Sequence, residues 1–271
     1  MKPAIFLILI TSLSGFSQDI EQSFLFANTL YANQQYQEAQ ETYKRVLFFD
    51  KENQYGSRVY RNMANCLYET GSFAEAAYYY DLAYFTHTGD EQIEITLKKA
   101  SCHLILQEYN LAQIELFNLP EDLSKGYAEQ KTFYEAMMAF AIEDFTKAEQ
   151  LFKQVASDTL VIDQLFREND KINKLSPKKA KILSIIFPGL GQFYAGDIKN
   201  GLNSMILTGG LFYLGLRSAI NTSLIDATIS VLPWFQRYYS GGFKKAEVIA
   251  EAKIKERRFK VFNELLDEVE D

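Results

Sequence analysis

The segments YQEAQETY at residues 36–43 and FAEAAYYY at residues 73–80 share one spacing of aromatic and small residues. The same spacing recurs at 109–116 and 145–152, so four segments align at intervals of 37, 36 and 36 residues. Each segment begins with an aromatic residue and carries an alanine three positions later: Ala39, Ala76, Ala112 and Ala148. Each ends on a large apolar residue: Tyr43, Tyr80, Leu116 and Phe152. A further alanine lies nine residues before each segment, at Ala27, Ala64, Ala100 and Ala136.

This spacing predicts a pair of helices in every unit. The first alanine allows helix A to approach its partner closely, and the aromatic residue and the second alanine mark the first turn of helix B. A single helix pair cannot bury its apolar face, so neighbouring units must stack. We therefore expect an all-α protein in which residues 20–157 form eight helices, and we expect a polar helical segment at 163–174 to cap the array.

The composition supports a helical fold and argues against several functions. Only 5 Pro and 14 Gly in 271 residues disfavour a turn-rich all-β protein. Two cysteines exclude a disulfide scaffold, and two histidines leave little for metal or acid–base chemistry. We expect the thiols of Cys66 and Cys102, and His103, to be buried structural groups. No catalytic constellation, metal site or cofactor site is recognisable, which predicts a protein that is not an enzyme.

Charge divides the chain into two parts. Residues 1–170 carry 25 acidic and 13 basic side chains, whereas residues 171–271 carry 10 acidic and 15 basic ones. The basic residues border apolar runs, which is typical of membrane flanks rather than of a nucleic-acid surface. We therefore expect a membrane lipid partner, no nucleic acid, and no small-molecule substrate.

The N-terminus resembles a targeting segment. Lys2 precedes a short apolar stretch, and Gly15 and Ser17 fit the two small positions that a signal peptidase reads before Gln18. A signal peptide at 1–17 is expected; the alternative is a buried N-terminal helix.

Three weakly charged apolar runs follow the repeats, at 182–196, 200–216 and 218–236. Each is slightly shorter than the roughly 20 residues of a spanning helix. Flanking lysines and arginines can extend the reach by snorkelling, and Trp234 would suit an interfacial belt. The alternatives are two or three spans, a re-entrant first run, or a buried helical hairpin.

The four-fold pattern resembles the tetratricopeptide family, whose units of about 34 residues form a helical solenoid. The proline that follows helix B in that family is missing from all four units, and unit three is weak. The resemblance implies a concave groove lined by helix A, which here predicts a site for a protein or peptide partner at Phe24, Asn28, Tyr31, Arg58, Arg61, Asn65 and Tyr68. In the resemblance the asparagines would hold a peptide backbone, and the arginines could pair with a carboxylate. The alternative is a solvated face with incidental polarity.

The stretch 176–255 resembles a small bacterial membrane-hairpin family with the signature Pro-Gly-x-Gly-Gln-x-Tyr-x-Gly. The resemblance implies a membrane address and no defined chemistry. The residues that carry it, together with the interfacial tryptophan, are Pro188, Gly189, Gly191, Tyr194, Gly196, Gly201 and Trp234. In the tail, Phe259, Phe262, Leu266 and Val269 follow helical spacing, so we expect an amphipathic helix that lies on the membrane or packs on its own hairpin.

These observations predict a solenoid with its cap at 18–175, a membrane-associated hairpin at 176–240 and a charged amphipathic helix at 241–271. The function that they favour is a membrane-tethered protein-interaction scaffold of the bacterial cell envelope. Its repeats would be exported to the periplasm and anchored at a membrane, the inner membrane being expected. The alternative is an accessory component of a transport or protein-assembly machine, in which the membrane module is the functional part.

Overall fold

The computed structural model describes residues 19–270, and all regular structure in that range is helical. The prediction of an all-α protein is therefore confirmed for this range. The predicted signal peptide at 1–17 lies outside the described residues. The chain divides into two compact units, Met1–Met138 and Ala139–Asp271.

In the first unit, consecutive helices pack against one another in chain order. Each helix from α1 to α5 contacts the next one along the chain, and α1 also contacts α3. Helix α7 contains the boundary between the two units. The bounds are α1 Ile20–Ala32, α2 Tyr36–Phe49, α3 Gly56–Glu69, α4 Phe73–Tyr84, α5 Asp90–Ile105, α6 Tyr109–Phe117 and α7 Lys125–Ala141.

The repeated residues occupy equivalent places in the helices. In each of the four repeats, helix B begins at the predicted aromatic residue, namely Tyr36, Phe73, Tyr109 and Phe145. All eight repeated alanines are completely buried, and so, to within 1%, are the four large apolar residues that follow them. The spacing found in the sequence therefore marks the buried faces of both helices.

The turn between helix A and helix B has the same backbone conformation in all four repeats. Four residues, at intervals of 37, 36 and 36, have a left-handed conformation: Gln34, Gly71, Gln107 and Glu143, with φ between 60° and 78°. The next residue donates its amide to the carbonyl five positions earlier, as Gln35 does to Leu30 at 2.9 Å and Ser72 does to Leu67 at 2.8 Å. This is the Schellman end of a helix, which satisfies carbonyls that the last turn leaves open.

In the second unit, one long helix is the central element. It contacts α8, α9, α10, α11, α12 and α13. Two alanines of this helix, Ala246 and Ala250, form a buried cluster with Ala180 and Ala195. The bounds are α8 Phe145–Val155, α9 Thr159–Asn173, α10 Pro177–Ile186, α11 Leu190–Tyr194, α12 Ile198–Asn221, α13 Leu224–Ser230 and α14 Leu232–Glu270.

The apolar runs do not correspond to single helices. The run 182–196 is divided between α10 and α11, and the run 218–236 is shared by the end of α12, α13 and the start of α14. Within residues 19–270, no helix combines the length and the apolar character needed to cross a bilayer.

The tail is part of the long helix and packs on its own unit. Helix α14 passes through residues 240 and 241 without a break. Its buried residues near the C-terminus are Val261 and Leu265, whereas Phe259 is 66% exposed. Phe262 stacks on Phe140 with ring centroids 5.2 Å apart. The apolar face of the tail is therefore rotated from the one predicted, because the buried side chains face helices of this unit.

Candidate functional site

The predicted groove residues lie on two helices of the first unit. Phe24, Asn28 and Tyr31 belong to α1, whereas Arg58, Arg61, Asn65 and Tyr68 belong to α3. The structure brings the two sets together, since Asn65 Nδ2 donates to the Tyr31 hydroxyl at 3.2 Å. Only polar groups with free hydrogen-bonding capacity can hold a partner.

Both asparagines bind the tyrosine of helix B in their own unit. The Tyr43 hydroxyl donates to Asn28 Oδ1 at 2.7 Å, and the Tyr80 hydroxyl donates to Asn65 Oδ1 at 2.8 Å. Asn65 is only 8% exposed, and its Oδ1 also accepts from Lys98 Nζ at 3.0 Å. The asparagines therefore connect helix A to helix B in their own repeats, and the side-chain carbonyl oxygen of Asn65 already accepts two hydrogen bonds.

The hydrogen bond between asparagine and tyrosine also explains which repeats contain the asparagine. Tyrosine in helix B goes with asparagine fifteen positions earlier in units one and two. Units three and four instead have Leu116 with Ser101 and Phe152 with Met137. An apolar side chain needs no acceptor, so the asparagine is absent where the tyrosine is absent. This regularity supports a structural role for Asn28 and Asn65.

The two arginines differ in their surroundings. Arg61 donates to Glu91 Oε1 at 2.8 Å and to Glu94 Oε2 at 2.6 Å, so its guanidinium already has two carboxylate partners on α5. Arg58 is exposed, and its guanidinium carbon lies 5.6 Å from the ring centroid of Phe24. Arg58 is therefore the more exposed of the two, since Arg61 is engaged by two carboxylates and only 26% of its side chain is exposed.

The aromatic groove residues are also partly covered. Phe24 is only 5% exposed and lies against Tyr55, with ring centroids 5.1 Å apart. The Tyr68 hydroxyl accepts from Ser101 Oγ at 3.3 Å. The predicted groove is thus a set of contacts between helices with one exposed cation, and binding of a partner there stays a prediction.

The cysteines and His103 are buried, as predicted. Both thiols are free and fully buried, and burial raises the pKa of each to about 12. His103 Nδ1 lies 2.8 Å from Glu108 Oε2. No group of three or more potential metal ligands occurs among residues 19–270.

The signature residues of the predicted hairpin form a packing junction. A Cβ atom on Gly191 would overlap the carbonyl oxygen of Ala180 and lie 2.5 Å from Ser184 Oγ. A Cβ atom on Gly201 would lie 2.6–2.9 Å from the ring of Phe193. These two glycines therefore allow α11 to touch α10 and α12 directly.

The other signature residues shape the turns that enter and leave α11. Gly189, which follows Pro188, has φ +94°, and Gly196 has φ +82°. The Tyr194 hydroxyl donates to the Lys174 carbonyl at 3.0 Å, and Lys179 Nζ lies 5.1 Å from the centre of its ring. The signature residues thus form the turns on either side of the short helix α11. This explains why the first apolar run is not one helix.

Sequence reasoning missed Gln192, the polar residue at the centre of this junction. Gln192 is 1% exposed; its Oε1 accepts from Ser184 Oγ at 2.8 Å and its Nε2 donates to the Gly242 carbonyl at 2.8 Å. It therefore ties α11 to α10 and α14. The sequence could have indicated this role, because a glutamine inside a charge-free apolar run needs hydrogen-bond partners when it is buried.

An apolar surface covers α12, α13 and the start of α14. Its large side chains are 49–80% exposed: Phe212, Leu216, Ile220, Leu224, Ile225, Ile229, Leu232 and Trp234. A cavity of about 290 Å³ opens among them, lined among others by Leu211 and Val231. Soluble monomers rarely expose contiguous apolar patches larger than a few hundred Å². Such a surface is typical of a site that binds lipid or another protein.

Comparison with models of protein families, with curated proteins and with solved structures found no match to this chain.

Proposed function

We propose that the chain is a membrane-tethered protein-interaction scaffold of the bacterial cell envelope. The second unit binds the membrane through the apolar surface of α12–α14, and the helix pairs form a tetratricopeptide-type solenoid that binds a partner peptide or subunit. The repeats lie on the periplasmic side of the inner membrane.

The observation that carries the proposal is the apolar surface. Eight large apolar side chains are about half exposed or more, and complete burial of one such side chain is worth about 1.5–3 kcal/mol. Trp234 lies within the surface, and the guanidinium of Arg237 is 5.9 Å from its ring centroid. Tryptophan beside a cation is the arrangement that membrane interfaces favour. The occupant that fits this combination is a lipid bilayer.

Partner binding is supported by the repeat. The four-fold spacing of the tetratricopeptide type is matched by helix bounds and by buried alanines in the same register. Arg58 is the exposed cation of the predicted groove and suits an acidic or C-terminal carboxylate group on a partner.

Membrane binding is tested by vesicle co-sedimentation of the full chain. Ile225→Glu with Ile229→Glu places two charges on the apolar surface and should weaken binding at least tenfold. The matched control is Phe85→Glu with Phe117→Glu, because these phenylalanines are 82% and 85% exposed in the first unit. Equal binding by the two double variants would refute the membrane role of the surface.

Partner binding is tested by crosslinking and quantitative recovery from the native envelope. Arg58→Ala should reduce recovery about tenfold, the value of a charge-assisted hydrogen bond. Lys51→Ala is the control, since Lys51 also lies over a phenylalanine, Phe48, at 4.9 Å. Unchanged recovery with Arg58→Ala would remove the groove from the proposal. Recovery that depends on the second unit alone would favour the accessory role in transport or assembly.

A further inference from the structure

A cavity of about 400 Å³ lies between α12 and α14. The two helices run antiparallel there, because Lys245 binds Asn200 and Phe212 contacts Phe235. Helix α12 contributes the polar residues Asn200, Asn203, Ser204 and Thr208, and α14 contributes Arg237, Gly241 and Lys245 among others. The wall therefore consists of two facing helical stripes.

Two hydroxyl groups of this wall have no hydrogen-bond partner in the described part of the chain. They are Ser204 Oγ and Thr208 Oγ1, and both atoms are buried. Thr208 is only 1% exposed. A buried hydroxyl without a partner destabilises the folded protein. Both residues line the cavity, although their hydroxyl oxygens are closed off from it in the free protein.

The cavity is also electropositive. Both charged residues that line it, Arg237 and Lys245, are basic. Within residues 19–270 neither forms an ion pair, and Lys245 Nζ donates instead to Asn200 Oδ1 at 2.6 Å. Asp197, whose carboxylate accepts hydrogen bonds from Asn200, does not line the cavity. Two cations and two hydroxyl donors around one space are suited to an oxyanion.

A glycine keeps this space open. Gly241 lines the cavity in the middle of α14, and a Cβ atom added to it would meet no atom within 4 Å. Glycine in a helix interior is unfavourable relative to alanine, and packing does not require it at this position. Its neighbour Gly242 differs, because a Cβ atom there would lie 2.6 Å from Ser204 Oγ.

We propose that this cavity binds the phosphate group of an anionic phospholipid headgroup. On binding, the side chains of Ser204 and Thr208 rotate so that their hydroxyls donate to the phosphate oxygens. Arg237 and Lys245 neutralise the charge of the phosphate, and the acyl chains lie along the apolar surface of α12. The headgroup is the chosen source because Leu207, 38% exposed, continues the cavity wall onto that surface. The choice of a lipid rests on the proposed membrane association.

The test measures the melting temperature of the full chain with two soluble probes. These are a short-chain phosphatidylglycerol below its micelle concentration and inorganic phosphate. Thr208→Val removes the hydroxyl and keeps the shape, so it should raise the melting temperature of the free protein and weaken lipid binding about tenfold. Lys245→Gln should weaken binding as well, whereas Lys244→Gln, its exposed neighbour with the same change in charge, should not.

The outcomes distinguish failure of the lipid site from failure of the proposed membrane binding. Stabilisation by the short-chain lipid that both cavity variants lose, with little effect of phosphate, supports the proposal. Equal stabilisation by inorganic phosphate would assign the site to a free anion and overturn the lipid. Indifference of lipid binding to Thr208→Val and Lys245→Gln would overturn the site, even if vesicles still bind. If the short-chain lipid binds and vesicles do not, the membrane role fails and the site stands.

Discussion

Replacement of Gly191 by alanine tests whether the signature at 188–196 is a packing junction. The new Cβ atom would overlap the carbonyl oxygen of Ala180 and lie 2.5 Å from Ser184 Oγ. Ordinary contact begins near 3.4 Å. Because the carbonyl belongs to the backbone of α10, relief requires that α10 and α11 separate by about 1 Å or more.

The expected cost follows from two effects. Overpacking of this kind costs about 1–3 kcal/mol. Separation of the helices also weakens the hydrogen bond that the Gly191 amide donates to Ser184 Oγ at 2.9 Å, and loss of such a buried bond costs about 1–3 kcal/mol. The gain in helix propensity returns up to about 1 kcal/mol. The free energy of unfolding of the second unit should therefore fall by about 1–6 kcal/mol.

The measurement is urea denaturation followed by tryptophan fluorescence, because Trp234 is the single tryptophan of the chain and lies in the second unit. The control is Gly210→Ala in the interior of α12, where an added Cβ atom would meet nothing within 4 Å. This variant should be more stable than the parent by up to about 1 kcal/mol. If Gly191→Ala unfolds at the same urea concentration as Gly210→Ala, the junction described here is wrong.

Four further predictions concern the first unit. Ala76→Leu should lower the free energy of unfolding by about 1–3 kcal/mol, since Ala76 has no exposed surface; circular dichroism on heating measures this. Gln107→Gly should raise the melting temperature, because a non-glycine residue in the left-handed region costs about 1–2 kcal/mol. Asn65→Leu should cost about 1–3 kcal/mol by leaving the Tyr80 hydroxyl without its acceptor, and adding Tyr80→Phe should recover part of the loss. The thiol of Cys66, whose pKa is raised from 9.0 to about 12 by burial, should resist a thiol reagent at pH 8 until denaturant is added, and its contribution to stability should fall as the pH rises from 9 towards 12.

The helices of the repeats could be predicted because one kind of residue reports directly on packing. An alanine that recurs at a fixed interval indicates a close helix contact, and all eight such alanines are buried. The turns gave less information. Gly71 signals a left-handed residue, but the equivalent positions in the other units are Gln34, Gln107 and Glu143. These units tolerate a cost of about 1 kcal/mol, which leaves no mark on the sequence.

The helices of the second unit were harder to predict because charge counts do not locate breaks. The run 182–196 contains no charge, yet α10 ends within it at the extended Phe187 and the left-handed Gly189 begins α11. The buried face of the tail was also hard to predict from the sequence. Phe259 and Val261 are two residues apart, and the structure buries Val261, which depends on the helices that α14 meets rather than on its own spacing.

The difference between a structural polar group and a binding group lies in what surrounds it, and the sequence does not show this. Asn65 and Thr208 are both polar residues on helices, and both are more than nine-tenths buried. The Asn65 carbonyl oxygen accepts from Tyr80 and Lys98, and its amide donates to Tyr31, so a ligand that needs this acceptor would have to displace existing bonds. Thr208 has no such bond and lines a cavity that two cations also line, so a ligand bound through its hydroxyl gains a hydrogen bond without breaking one. Polar residues that attracted attention in the repeats are therefore the weaker binding candidates, and the hydroxyls between α12 and α14 are the stronger ones.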